Sequence, residues 1–274
     1  MTRFVTAALV GFLATVNGTA TSAQTVFSTV EGVNGGVFTS DPQGPSGSAV
    51  NSGLSFAGSA SLDFSVDGFG EAVQRPDGVG AVLADALFAN GQTGNYVEAR
   101  TSWTDTATNT SGGPIDYVFN FLITPPSLRI GDYAGISDTS PQRPDISFHV
   151  TISANNVVVF EAEAHLIGGD VSHVLNETGT SLTPSFVAGS EFGYDFQAYS
   201  DILNLGTVAN NSSITVVYEM VARVDTPGYE VGGRAQIGDP FDLDGTPGFS
   251  GTLMPDTTVA IENSTWGQIK SQYR

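Results

Sequence analysis

The sequence predicts an all-β protein, a single large antiparallel β-sandwich of jelly-roll type. Two observations carry this. Most of the chain reads as short runs in which apolar and polar residues alternate, and the runs are broken by Gly, Ser, Thr, Asn and Asp. Apolar spacing of helical period is nearly missing. No shift in composition cuts the chain in two, and no fixed-period repeat is present.

The elements follow in order. MTRFVTAALVGFLATVNGTATSAQ places Arg3 before an apolar run from Phe4 to Val16 and ends in small residues, the order of a secretory signal peptide with cleavage expected after Ala23. A run of about 13 residues falls short of the ~20 that span a bilayer. The expected organisation is therefore a leader at 1–23, a sandwich at 24–262 and a tail at 263–274, in a secreted or periplasmic protein. No later stretch is long and apolar enough to span a membrane.

Ser61–Asp67 alternates and ends at the turn signal Asp67-Gly68. Ala81–Gly91 is alanine-rich and suits a strand buried on both faces or a short capped helix; its setting among strands favours the strand. Tyr96–Thr106 and Tyr117–Ile123 flank a turn-rich segment, which suggests a hairpin over 96–123. Ile214, Val216, Tyr218, Met220, Ala222 and Val224 share one face of a long run, as a central strand requires. Segments 124–145 and 225–256, rich in Pro, Gly and Asp, read as long loops or irregular edges.

Composition bounds the function. The chain of 274 residues has no cysteine, so burial must stabilise it. Its 28 acidic against 9 basic residues give a net charge of −19, which disfavours nucleic-acid partners because phosphate binding needs a clustered positive surface. The acids are scattered, as in a solvated exterior, and Lys270 is the single lysine.

The stretch FEAEAH, Phe160–His165, is the first candidate site. Asp145–Ser153 and Val158–Ala164 alternate in phase if a three-residue turn at Ala154-Asn155-Asn156 joins them. Val150 then lies opposite Phe160 and Phe148 opposite Ala162, with Val158 on the same apolar side. On the outer side His149 faces Glu161, Ser147 faces Glu163 and Asp145 faces His165. Cross-strand neighbours lie about 5 Å apart and same-strand neighbours about 7 Å. Asp145, His149, Glu161, Glu163 and His165 could hold a divalent metal such as calcium or zinc, since imidazole and carboxylate are its usual ligands. Glu161 and Glu163 could instead act as acid and base on a polysaccharide. Some jelly-roll glycosidases carry acids alternating along one strand, but their Glu-x-Asp-x-x-Glu spacing is not met, because His165 and Leu166 stand where the third acid is sought. The third reading is a solvated face of cross-strand charge pairs.

The second candidate is Gly238–Gly245, where Asp239, Asp242 and Asp244 could form a calcium loop. Laid on the EF-hand template, Pro240 falls at the first ligand position and Gly251 at the last, so that template fails; a looser calcium site or an Asx-turn loop stays open. No Gly-x-Ser-x-Gly elbow exists, and His173 with Asp170 reads as a turn. Asn109 and Asn211 head Asn-x-Ser/Thr matches expected by chance. At the terminus Trp266, Ile269, Lys270 and Tyr273 fall at helical spacing after Ser264, suiting a packed or sorting tail.

Asp105–Gly112, read D-x-x-x-N-x-S-G, and the later Gly-Asp-Pro-Phe-Asp-Leu-Asp-Gly resemble bacterial exported β-sandwich proteins of the PEP-CTERM-associated type. The resemblance covers about a third of the chain, and the sorting tail itself is lacking. It implies a surface or matrix location and no particular activity. A non-catalytic exported protein that binds extracellular polysaccharide, cell-surface components or calcium is the expected function, with a polysaccharide-active enzyme using Glu161 and Glu163 as the alternative. Trp103, Tyr117 or Tyr218 on a concave face would favour glycan binding, since aromatic faces stack on sugar rings.

Overall fold

A computed structural model describes residues 21–34, 37–43, 48–50, 58–63, 68–74, 80–86, 95–132, 144–168, 173–189, 191–226, 231–238 and 249–256. These contain strands and no helix, and thus none that is long and apolar enough to cross a membrane. In chain order the strands are β1 (Thr21–Asn34), β2 (Val37–Gln43), β3 (Ser48–Val50), β4 (Gly58–Asp63), β5 (Gly68–Gln74), β6 (Gly80–Ala86), β7 (Asn95–Thr108), β8 (Ile115–Ile123) and β9 (Pro126–Asp132). There follow β10 (Asp145–Ala154), β11 (Val157–Gly168), β12 (His173–Gly179), β13 (Pro184–Val187), β14 (Glu191–Phe196), β15 (Tyr199–Val208), β16 (Ser213–Thr226), β17 (Val231–Ile237) and β18 (Phe249–Pro255).

They form two open antiparallel sheets. The first runs β12-β11-β10-β16-β7-β1-β2, with β3 beside β1; the second runs β13-β14-β9-β17-β6-β18-β8-β15, with β5 beside β6 and β4 beside β5. The all-β sandwich predicted from alternation is the observed architecture. The order β16-β10-β11-β12 has the Greek-key form, in which the returning strand lies beside the first.

Alternation fills the space between the sheets. Ile214, Val216, Tyr218, Met220, Ala222 and Val224 are all buried on β16, which sits between β10 and β7 as a strand with one apolar face should. Aromatic rings join the layers: Phe121 meets Phe160 edge-on at 4.9 Å between centroids, and Phe148 meets Phe196 at 4.8 Å. Gly233 on β17 leaves room for Ile146, whose Cγ1 would lie 2.8 Å from any Cβ placed there.

Several expectations are corrected. Residues 96–123 are not a hairpin, because β7 and β8 belong to different sheets. Asn109 turns the chain between them. Its Nδ2 donates to the carbonyls of Gly113 (2.8 Å) and Val208 (2.7 Å), while its Oδ1 accepts from the amide and hydroxyl of Ser111 (3.0 and 2.7 Å). The segments read as loops or irregular edges contain β9, β17 and β18, each with a strand on both sides. Pro126 and Pro255 stand at strand ends, where a missing N–H is tolerated, so the proline content misleads there.

Trp103, Tyr117 and Tyr218 are core residues, between 1% and 4% exposed, and cannot line a glycan surface. Gly80–Ala86 is a strand, as favoured; 87–91 lie outside the described residues, as do residues 1–20 of the expected leader and the tail at 263–274. Thr21–Ala23 belong to β1, opposite Thr108–Thr106.

Candidate functional site

The strands β10 and β11 are joined by two residues, not three. Asn155 (φ 48°) and Asn156 (φ 67°) take the left-handed conformation that tight hairpin turns demand of both central residues. Alone, that turn would put the apolar sets out of phase. A bulge restores the phase: Ser153 pairs with Val158 but Ile152 with Phe160, so Val159 has no counterpart. Val158 is consequently 56% exposed, not on the buried face.

The register therefore differs from the expected one by two residues. His149 lies opposite Glu163, Ser147 opposite His165, Thr151 opposite Glu161 and Asp145 opposite Ile167, while Val150 faces Ala162 and Phe148 faces Ala164. The ionisable side chains reach their expected partners along the diagonals, which long side chains can span. His149 Nε2 lies 3.0 Å from Glu161 Oε1, and His165 Nδ1 lies 2.9 Å from Asp145 Oδ1. His165 Nε2 also lies 2.9 Å from Glu163 Oε1.

The five expected residues thus share one face but divide into two sets. In the first, an imidazole is clasped by two carboxylates. The hydrogen bond to Asp145, opposed by partial burial and reinforced by Glu163, raises His165 from 6.5 to about 9. It is an imidazolium at neutral pH, with both ring nitrogens engaged and no lone pair for a metal. In the second set Glu161 is bound to His149. Among the described residues no group of three or more His, Asp and Glu side chains is arranged to hold a metal ion. Asp239, Asp242 and Asp244 lie outside the described residues.

The polar face continues across β16 and β7, which the sequence reading did not connect to it. Glu98, 8% exposed, accepts from Arg100 Nη2 (2.9 Å) and Arg223 Nη1 (3.1 Å), so this nearly buried carboxylate is doubly paired, as burial requires. Arg100 reaches on to Glu219 (2.8 Å), and Arg223 grips Asp225 through Nε (2.6 Å) and Nη2 (2.8 Å) while lying 4.2 Å over the Tyr96 ring. Burial alone would lower Arg100; Glu98 and Glu219 more than offset it and hold it above its ordinary value. Hydrogen bonding to Asp225 does the same for Arg223 against its own burial. The signal for this extension was the polar side of β16. Its neighbour β7 lies more than 100 residues away in sequence, so no local pattern announces the pairing.

The D-x-x-x-N-x-S-G motif ends in a hydrogen-bonded corner. Asn109 is 1% exposed and saturated with hydrogen bonds, and its backbone exchanges further bonds with Ser212 (2.9 Å) and Asn211 (2.7 Å). It joins the β7–β8 corner to the β15–β16 turn. Gly112 (φ 90°) takes the conformation glycine favours there, and its amide donates to Asn210 Oδ1 at 3.0 Å.

The chain matches no protein-family model, and no curated protein is significantly similar to it.

His173 is not part of a loop pair but begins β12, where its ring meets those of Phe186, Phe192 and Tyr194. Sequence reasoning missed this group, because its members come from three strands at the edges of both sheets.

Proposed function

We propose that this chain is an exported, non-catalytic β-sandwich protein of a cell surface or extracellular matrix, with extracellular saccharide or calcium as the ligands to seek. One observation carries the non-catalytic reading. On β7, β16, β10 and β11 the outer-face carboxylates Glu98, Glu219, Asp225, Asp145, Glu161 and Glu163 each pair with an arginine or histidine of the same face. Glycoside hydrolysis needs one carboxyl that carries a proton for the leaving group and a second that is free to attack or to activate water. Glu161 and Glu163, bound to His149 and His165, are committed to bracing the hairpin. The leader-like amino terminus supports export.

The test is to fractionate cells expressing the full chain and to incubate the purified protein with a panel of soluble polysaccharides. The reading expects the protein outside the cytoplasm and no new reducing ends or unsaturated products. Product release that disappears in Glu161→Gln or Glu163→Gln would establish the enzyme instead.

A further inference from the structure

We propose that Phe186, His173 and Tyr194 form a binding site for a neutral saccharide at the lateral opening of the sandwich. The inference deepens the reading above and rests on it. β12 is the edge strand of one sheet, and β13 with β14 forms the edge of the other. His173 from the first edge lies parallel to Phe186 from the second, with centroids 5.2 Å apart and 4° between planes. Tyr194, directly across the ladder from Phe186, meets that ring at 66° and 5.5 Å. Phe192 backs His173 from the core at 5.2 Å.

Two features set this cluster apart from a seam that merely closes the core. Phe186 is 49% exposed, whereas Phe192 and Phe196 on the neighbouring strand are buried, so a large apolar ring is held in fixed orientation against water. Beside it, the Tyr194 hydroxyl and His173 Nε2 are 3.5 Å apart, the limit of a hydrogen bond, and no second bond to either is present among the described residues. A pyranose offers the complement, a flat C–H face for the ring and a rim of hydroxyls for the phenol and imidazole. A chain of net charge −19 repels acidic sugars, which selects a neutral saccharide.

The full chain is titrated with cellohexaose, xylohexaose and chitohexaose, following amide and aromatic NMR signals. At least one sugar is expected to shift the resonances of His173, Phe186 and Tyr194. Phe186→Ala should weaken binding about tenfold or more, Tyr194→Phe by less, and Phe186→Trp should retain it. Phe186→Trp and Tyr194→Phe keep the test decisive if Phe186→Ala fails to fold. Absence of shifts with all three sugars, or binding that survives folded Phe186→Ala or maps to another face, overturns the site. Release of shortened sugars by the parent overturns the non-catalytic reading instead, and the NMR map distinguishes the two failures.

Discussion

Two polar regions of the molecule look alike in sequence and differ in what they do. The Asn109 corner and the ion-paired face of β10 and β11 are both built from short runs of polar residues spaced by small ones. At the corner one amide, 1% exposed, meets two carbonyls and a serine, so its burial limits how far solvent can replace a lost bond. On the sheet face His149, Glu161, Glu163 and His165 remain partly exposed, and water competes for each group. Burial, more than charge, decides how much a polar contact stabilises.

The sharpest way to break this comparison is Asn109→Ala. It should cost about 3 kcal/mol or more in urea unfolding, because it strips donors from the Gly113 and Val208 carbonyls. Asn109→Asp should not rescue at neutral pH, since a carboxylate has no N–H for either carbonyl. A loss below about 1 kcal/mol would place the corner with the surface pairs.

Next in size is Gly233→Ala, which pushes a methyl group into Ile146 in the packed interior. A loss of about 1–3 kcal/mol is expected from overpacking, with partial recovery in Gly233→Ala/Ile146→Val.

His165 gives a smaller effect with a pH signature. Its raised pKa means that the charged imidazole favours the folded state fully below pH 6.5, loses that contribution as pH rises towards about 9, and contributes none above it. Because the side chain is one-third exposed, solvent screening holds the contribution to about 1 kcal/mol or less. Melting temperature should therefore fall between pH 6.5 and 9 in the parent, and His165→Gln should flatten that slope. The smallest effect is expected for Glu161→Gln, a few tenths of a kcal/mol in the same assay.

What was legible in the sequence follows from periodicity. Alternation identified the buried face of β16 and the strands β10 and β11, because a half-buried strand imposes period two wherever it lies. It also brought the right ionisable residues to one face. It missed the register, because a bulge at Val159 and a tight Asn155-Asn156 turn produce the same phase as a plain three-residue turn. Partners distant in sequence stayed hidden. Glu98 joins Arg223, and His173 joins Phe186, only once β7 is set beside β16 and the two sheet edges are brought together. For the same reason Trp103 and Tyr218, whose placement on a concave face would have favoured glycan binding, are in the core: they occupy the same periodic face as the valines and alanines around them.

The central claim is that the ionisable row of β10 and β11 is engaged with its own partners, with both ring nitrogens of His165 held by Asp145 and Glu163. An NMR pH titration of the His165 ring tests this most directly, repeated with added zinc and calcium. The account predicts a midpoint of about 9, unmoved by either metal. A midpoint near 6.5, or one displaced by metal, would show a free imidazole available as ligand or base and would contradict it.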